Sequence, residues 1–232
     1  MAPTDLSRLS LPRACRDALA GPRAERIDQH TVPVAAHWWD VEVAAARLPG
    51  VPVVGSGAGV LSRGDLFEDA ATLDAGSDEE LLRFLWRVLA WGSGMKLRLN
   101  RRRIHAVAAD PAPALAALRR ALGAAPHDPA EAYEALRPRG RSAVPSLGPA
   151  FATKVLYFAG GGAVGHPCAI LDARVAATLR DTCGWDSLGG TVWPARTYDR
   201  YCALLGRWAG EEGERLGRPV GVDEIERRLF AP

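Results

Sequence analysis

The sequence predicts an all-α protein, and three observations carry that expectation. Alanine is abundant along the whole chain, which favours helix. Apolar residues recur at helical spacing over several stretches of helical length. Strand signals are short and isolated. The 232 residues suffice to bury a substantial core, as one domain or two lobes of one unit.

Composition excludes several classes of protein. Hydrophobic residues make up 48%, the ordinary value for a globular chain. Charges and prolines break Met1 to Gly21, so no signal-peptide core is expected, and no apolar run reaches the ~20 residues of a membrane helix. Cys15, Cys168, Cys183 and Cys202 are dispersed without a Cys-x-x-Cys pair, which fits a reducing cytoplasm and gives no disulfide framework. The five histidines show no metal-ligand spacing, so neither metal nor other cofactor is expected. A net charge of +2 selects no partner, and any nucleic-acid surface has to be local.

Taken in order, Pro12 to Ala20 is a short helical candidate. Val32 to Arg47 contains His37-Trp38-Trp39-Asp40, and its apolar content suggests packing against the main body. Adjacent tryptophans could stack a base or fill a core. The glycines after Val51-Pro52-Val53-Val54 lack nucleotide-loop spacing and a lysine, so Gly55 to Gly59 reads as a plain loop. Ser77-Asp78-Glu79-Glu80 is a capping box. Behind it Leu81, Leu82, Phe84, Leu85, Val88 and Leu89 predict a central helix that stops at Gly92-Ser93-Gly94. Lys96 to Arg103 holds five positive charges in eight residues, either a phosphate-binding surface through Arg101, Arg102 and Arg103 or a solvated helix face. Pro113 to Leu122 and Pro129 to Leu136 are helices with proline in the first turn. Ala150 to Ala159, Ala173 to Thr182, Thr197 to Trp208 and Val222 to Phe230 complete the set, with Trp185 and Trp193 flanking the Gly-rich segment 184–190.

Two side chains stand out within 144–174. Of the 29 basic residues only Lys96 and Lys154 are lysine. Arginine keeps its proton in a protein, whereas a buried lysine amine can lose it and become a nucleophile. Lys154 lies in an apolar helix, where the alternative reading is an ammonium snorkelling to solvent. Asp172 sits at the mouth of the next helix, where the alternative reading is an N-cap. Leu147-Gly148-Pro149 punctuates a turn between two helices before Lys154, and a Gly/Pro loop leads through Pro167-Cys168-Ala169-Ile170-Leu171 to Asp172.

That constellation resembles the helix-hairpin-helix DNA glycosylases, the superfamily of endonuclease III and the 8-oxoguanine DNA glycosylases. The segment from Leu147 to Phe158 is most similar to a bacterial branch of 8-oxoguanine-glycosylase-fold proteins, with similarity over about Glu80 to Gly210, including Trp91-Gly92-Ser93-Gly94 and Thr197 to Tyr201. The resemblance implies two helical lobes with a cleft between them, formed by residues 76–232, with residues 1–75 packing on or extending that body. There are departures: better-known members place the lysine two positions after the hairpin's second glycine, whereas Lys154 follows Gly148 by six, a shift of roughly 5 Å or one helical turn. The cysteine spacing also provides no iron–sulfur cluster.

The resemblance further implies the chemistry. Lys154 would attack C1′ of an extruded nucleotide as a neutral amine and form a Schiff base, and Asp172 would stabilise the positive charge developing on the sugar. Leu147 and Gly148 would hold a phosphate through backbone N–H groups. Phe151, Trp38, Trp185 and Trp193 are candidates to stack the base. The expected partner is double-stranded DNA carrying a damaged base, bound by a monomer at the nucleoid, without a membrane. The implied activity is removal of 8-oxoguanine with strand nicking; a different modified base, or a non-catalytic DNA-binding module, are the alternatives.

Overall fold

The computed structural model describes residues 4–54 and 59–231, so Gly55 to Ala58 of the expected loop lie outside the described residues. The expected all-α architecture is present: the described residues hold helices and one two-stranded sheet. The chain opens with a 3-10 turn at Leu6–Arg8, capped by the Asp5 carboxylate, and two short helices, α1 (Arg13–Asp17) and α2 (Arg23–Arg26), each entered through a proline. Strand β1 (Thr31–Pro33) pairs antiparallel with β2 (Val60–Ser62), with Val32 opposite Leu61. Between them α3 (Ala36–Ala45) buries Trp39 and Val43.

Helix α4 (Arg63–Thr72) starts on a reciprocal capping box between Ser62 and Asp65. Helix α5 (Asp78–Ser93) is the central element its spacing predicted, with Leu81, Leu82, Phe84, Leu85, Trp86, Val88, Leu89 and Trp91 all buried. At about 2 kcal/mol for each large side chain removed from water, this face anchors the core. Only half of its expected capping box forms: the Ser77 hydroxyl accepts from Glu80 N–H at 3.2 Å, while the Glu80 carboxylate accepts from Asp74 N–H at 2.7 Å. Gly94, at φ 55°, ends the helix in a conformation that suits glycine.

Helix α6 (Asn100–Ala109) takes up the arginine cluster in its first turn, followed by α7 (Pro111–Ala124), α8 (Pro129–Leu136), α9 (Pro149–Phe158) and α10 (Ala173–Asp181). Helix α11 (Ala195–Leu216) runs two turns beyond the predicted Trp208. Gly206, Gly210 and Gly213 weaken its sequence signal. Tertiary contacts sustain it: Ala209 and Glu212 are buried, and the Glu212 carboxylate accepts from Arg16 at 2.7 Å and Arg215 at 2.6 Å. The last helix, α12 (Val222–Phe230), has the predicted bounds.

One apolar core runs from Leu9 to Leu229. The early elements pack directly on the later ones: α1 on α12, the 3-10 turn on α11, α3 and α4 on α5, and α4 on α9. Three acids of α12 are buried, and each meets an arginine: Asp223 with Arg23 at 2.6 Å, Glu224 with Arg218 at 2.8 Å, and Glu226 with Arg63 at 3.0 Å. Such charges are tolerated inside a protein only when paired and hydrogen-bonded, so these contacts fix how α12 docks.

Candidate active site

The turn between α8 and α9 is held from within. The Arg137 guanidinium donates to the Leu147 carbonyl at 3.0 Å and to the Gly140 carbonyl, and the Ser142 hydroxyl donates to the Leu147 carbonyl at 2.6 Å. Ser146 sits at φ 64°, in the left-handed region that costs a non-glycine residue about 1 kcal/mol. Its carbonyl is secured by Arg103 Nε at 2.9 Å.

These bonds correct two expected DNA contacts. Leu147 is fully buried, its N–H donates to the Val144 carbonyl and its own carbonyl is occupied. Arg103, 4% exposed, faces the interior, where it stacks on Phe151 at 4.3 Å and donates to the Asn100 side chain. Burial pushes its pKa down to about 10, so it remains charged at neutral pH. Arg101 and Arg102 stay on the surface, Arg101 paired with Glu42. Gly148 is open: a side chain there would meet nothing within 4 Å, and its N–H has no partner among the described residues.

Lys154 and Asp172 are brought together through their neighbours. The buried Thr153 hydroxyl accepts from Leu171 N–H at 3.1 Å and lies 3.1 Å from the Leu171 carbonyl. On the other side, the Tyr198 and Tyr201 hydroxyls donate to the carbonyls of Ala169 at 3.0 Å and Ile170 at 2.7 Å. The extended segment before Asp172 is thereby clamped between α9 and α11. Gly92 completes the arrangement: a Cβ there would lie 2.7 Å from the Phe151 ring and 2.9 Å from Lys154 Cδ, so α5 passes this close only as glycine. Asp172 does cap α10, its Oδ1 accepting from Arg174 N–H at 2.9 Å and Val175 N–H at 3.1 Å.

Both residues line a cavity of about 430 Å³. Its wall also includes Arg63, Glu226, Trp91, His30 and Lys96, so both lysines of the chain reach it. Burial lowers the Lys154 pKa below the usual 10.5, Asp172 and Glu226 pull it up, and Arg63 adds to the lowering. Burial, together with Asp172, raises Glu226, against the opposing pull of Arg63 and Lys154. His30 is depressed to about 4 by burial and by Arg63 and Arg227, and is therefore neutral at pH 7. Arg63 is held charged: burial opposes its proton, but Tyr157, Glu226 and Asp223 outweigh that.

The aromatic expectations fare differently. Phe151 borders Lys154, whose Nζ lies 5.7 Å from the ring centroid, without lining the cavity. Trp38 packs edge-on against Trp39, and Trp185 and Trp193 are core residues, with Trp193 Nε1 donating to the Gly189 carbonyl. None of these three tryptophans lines the cavity; Trp91 does. Sequence reasoning missed His30, Arg63 and Glu226 as well. Trp91 alone carried a signal, in the Trp91 to Gly94 stretch that contributes to the family resemblance. The burial of Glu226 is invisible in an amphipathic pattern rich in acids.

The family described as "Putative 8-oxoguanine DNA glycosylase OGG-like protein" matches residues 25–230. The chain belongs to that family. The match starts far before Glu80, so His30, Arg63 and Glu226 fall inside the shared region of these OGG-like proteins together with Lys154 and Asp172. No curated protein and no solved structure matches the chain. Among the described residues no helix of this OGG-like protein is long and apolar enough to cross a membrane, and no cluster of three or more His, Cys, Asp or Glu could hold a metal ion. Its four cysteines are free and buried.

Proposed function

We propose that this OGG-like protein is a DNA glycosylase with lyase activity that removes an oxidised purine, 8-oxoguanine, through Lys154. The observation that carries the reading is a partly desolvated amine and a carboxylate sharing one cavity whose volume, about 430 Å³, suits a single extruded nucleotide. Burial favours the neutral amine, the form with a free lone pair. Lys154 Nζ attacks C1′, the bond from C1′ to the base breaks, and the base leaves with the electron pair and takes up a proton. Loss of the amine proton and opening of the sugar ring give the Schiff base. Asp172 offers negative charge where the sugar becomes positive. The exposed Arg101 and Arg102 and the Gly148 N–H, which has no partner among the described residues, are the groups assigned to phosphates in this reading, a contact that weakens with salt.

The test is borohydride trapping on a panel of duplexes, each with one modified base. A covalent protein–DNA adduct with the 8-oxoguanine duplex is expected, and Lys154→Gln should abolish it, a loss of at least about a thousandfold for a removed nucleophile. The rate should rise with pH along an acid limb lying below the ordinary lysine range, because the amine must shed its proton to react. Failure of every duplex to trap sinks the reading. An adduct that survives Lys154→Gln and disappears in Lys96→Gln moves the chemistry to the other lysine.

A further inference from the structure

A Schiff base at C1′ makes the proton on C2′ acidic, and strand nicking requires a group to take that proton. The cavity holds two carboxylates with unlike surroundings. Asp172 is tied through Oδ1 to two N–H groups at the start of α10. Glu226 comes from another element, α12, and is 1% exposed. Its Oε2 accepts from Arg63 Nη2 at 3.0 Å, the one hydrogen bond its carboxylate makes among the described residues. Arg63 is itself fixed, donating to the Tyr157 hydroxyl at 2.9 Å; that hydroxyl donates to Asp223 at 3.2 Å, and Asp223 accepts from Arg23 at 2.6 Å. The carboxylate is therefore held in place by one oxygen and left uncommitted at the other.

A buried acid with no role outside the site is costly to a fold. Asp223 and Glu224 also secure α12, to Arg23 and Arg218, so Glu226 is one of three anchors and the one that lines the cavity. Burial and the neighbouring Asp172 charge make Glu226 more basic than a solvated glutamate, as suits a proton acceptor. The charged groups that line the cavity with it are Arg63 on α4, Lys96 ahead of α6, Lys154 on α9, Asp172 at the head of α10, and Arg227 on its own helix.

We propose that Glu226, steadied by Arg63, is the proton acceptor for the elimination step at the Lys154 cavity. The C2′–H bond breaks with the proton passing to Glu226 Oε1. The C–H electron pair forms the C2′=C3′ double bond by way of the enamine, and the C3′–O bond breaks with the 3′-phosphate leaving on its own electron pair. No oxidant or further reactant is required. This rests on the Schiff-base reading of Lys154, while naming a residue and a step beyond it.

A duplex with a preformed abasic site isolates the step from base recognition. With the wild-type protein, nicking and borohydride trapping are both expected. Glu226→Gln, whose amide oxygen can still accept from Arg63, should slow nicking by about 100-fold, the scale of a lost general base. The trapped fraction should rise as the Schiff base accumulates, and Glu226→Asp should recover part of the nicking. Trapping and nicking falling together in Glu226→Gln would point to a structural role and overturn the proposal, as would unchanged nicking. A wild-type protein that neither traps nor nicks abasic DNA removes the Lys154 reading and this one with it; a wild-type protein that does both, with Glu226→Gln indistinguishable from it, removes this one alone.

Discussion

The cavity at Lys154 and the groove along α11 are both concavities on one core, and they are built in opposite ways. The groove has about 940 Å³, more than twice the cavity's volume of about 430 Å³. Its walls are Ala203, Gly206, Gly210 and Gly213 of α11 facing Gly165 and Pro167, and its charged lining is Asp199 and Glu214 against Arg218. It exists because side chains are missing. The cavity exists despite its side chains: Lys154, Arg63, Arg227 and Glu226, each opposed by desolvation in its charged form, are gathered there beside Asp172. Chemistry separates the two more sharply than size does: the clustered ionisable groups of the smaller cavity are the feature on which the proposed site rests.

The contrast can be broken or sharpened by substitution. The largest effect after loss of Lys154 itself belongs to Asp172→Asn. Asparagine still caps a helix, so α10 should survive while single-turnover base release falls about 100-fold at unchanged DNA affinity. Near-normal turnover would reduce Asp172 to a cap and leave the cavity with a single carboxylate in its chemistry. Next comes Arg103→Gln, which strips the Ser146 carbonyl of its charged donor and Phe151 of its stacked partner. Urea denaturation should show a loss of about 2–3 kcal/mol; a change below about 0.5 kcal/mol would mean the turn before α9 stands without its buried cation. The smallest effect is on the groove side. Gly206→Ala adds a methyl where nothing lies within 4 Å, so it should stabilise α11 by up to about 1 kcal/mol and leave base excision as it was. A fall in excision would show that the groove takes part in function.

Much of the architecture was legible in the sequence because helices declare themselves locally. The predicted bounds of α12 are those observed, and α5 begins and ends within a residue or so of its Ser77 and Gly94 signals. Helix α11 was cut short at Trp208 because its glycines look like stop signals, while the burial of Glu212 against Arg16 is a long-range event. Arg103 misled for a related reason. Three successive arginines look equivalent as charge, yet on a helix each points in a different direction, and only Arg101 and Arg102 point to solvent. The tryptophans misled because size alone ranks a residue as a stacking candidate, whereas Trp185 and Trp193 spend that size in the core.

By itself the sequence determined the helical class, the turn ahead of α9, and the presence of a rare lysine followed by a helix-capping aspartate, all set by spacing along the chain. The surroundings of that pair were decided by tertiary structure. His30 precedes β1, Arg63 opens α4, Trp91 closes α5 and Glu226 belongs to α12, so their meeting at one cavity depends on how distant segments pack. Burial, which sets the proton affinities of Lys154 and Glu226, is a property of that packing, and no local stretch of residues encodes it.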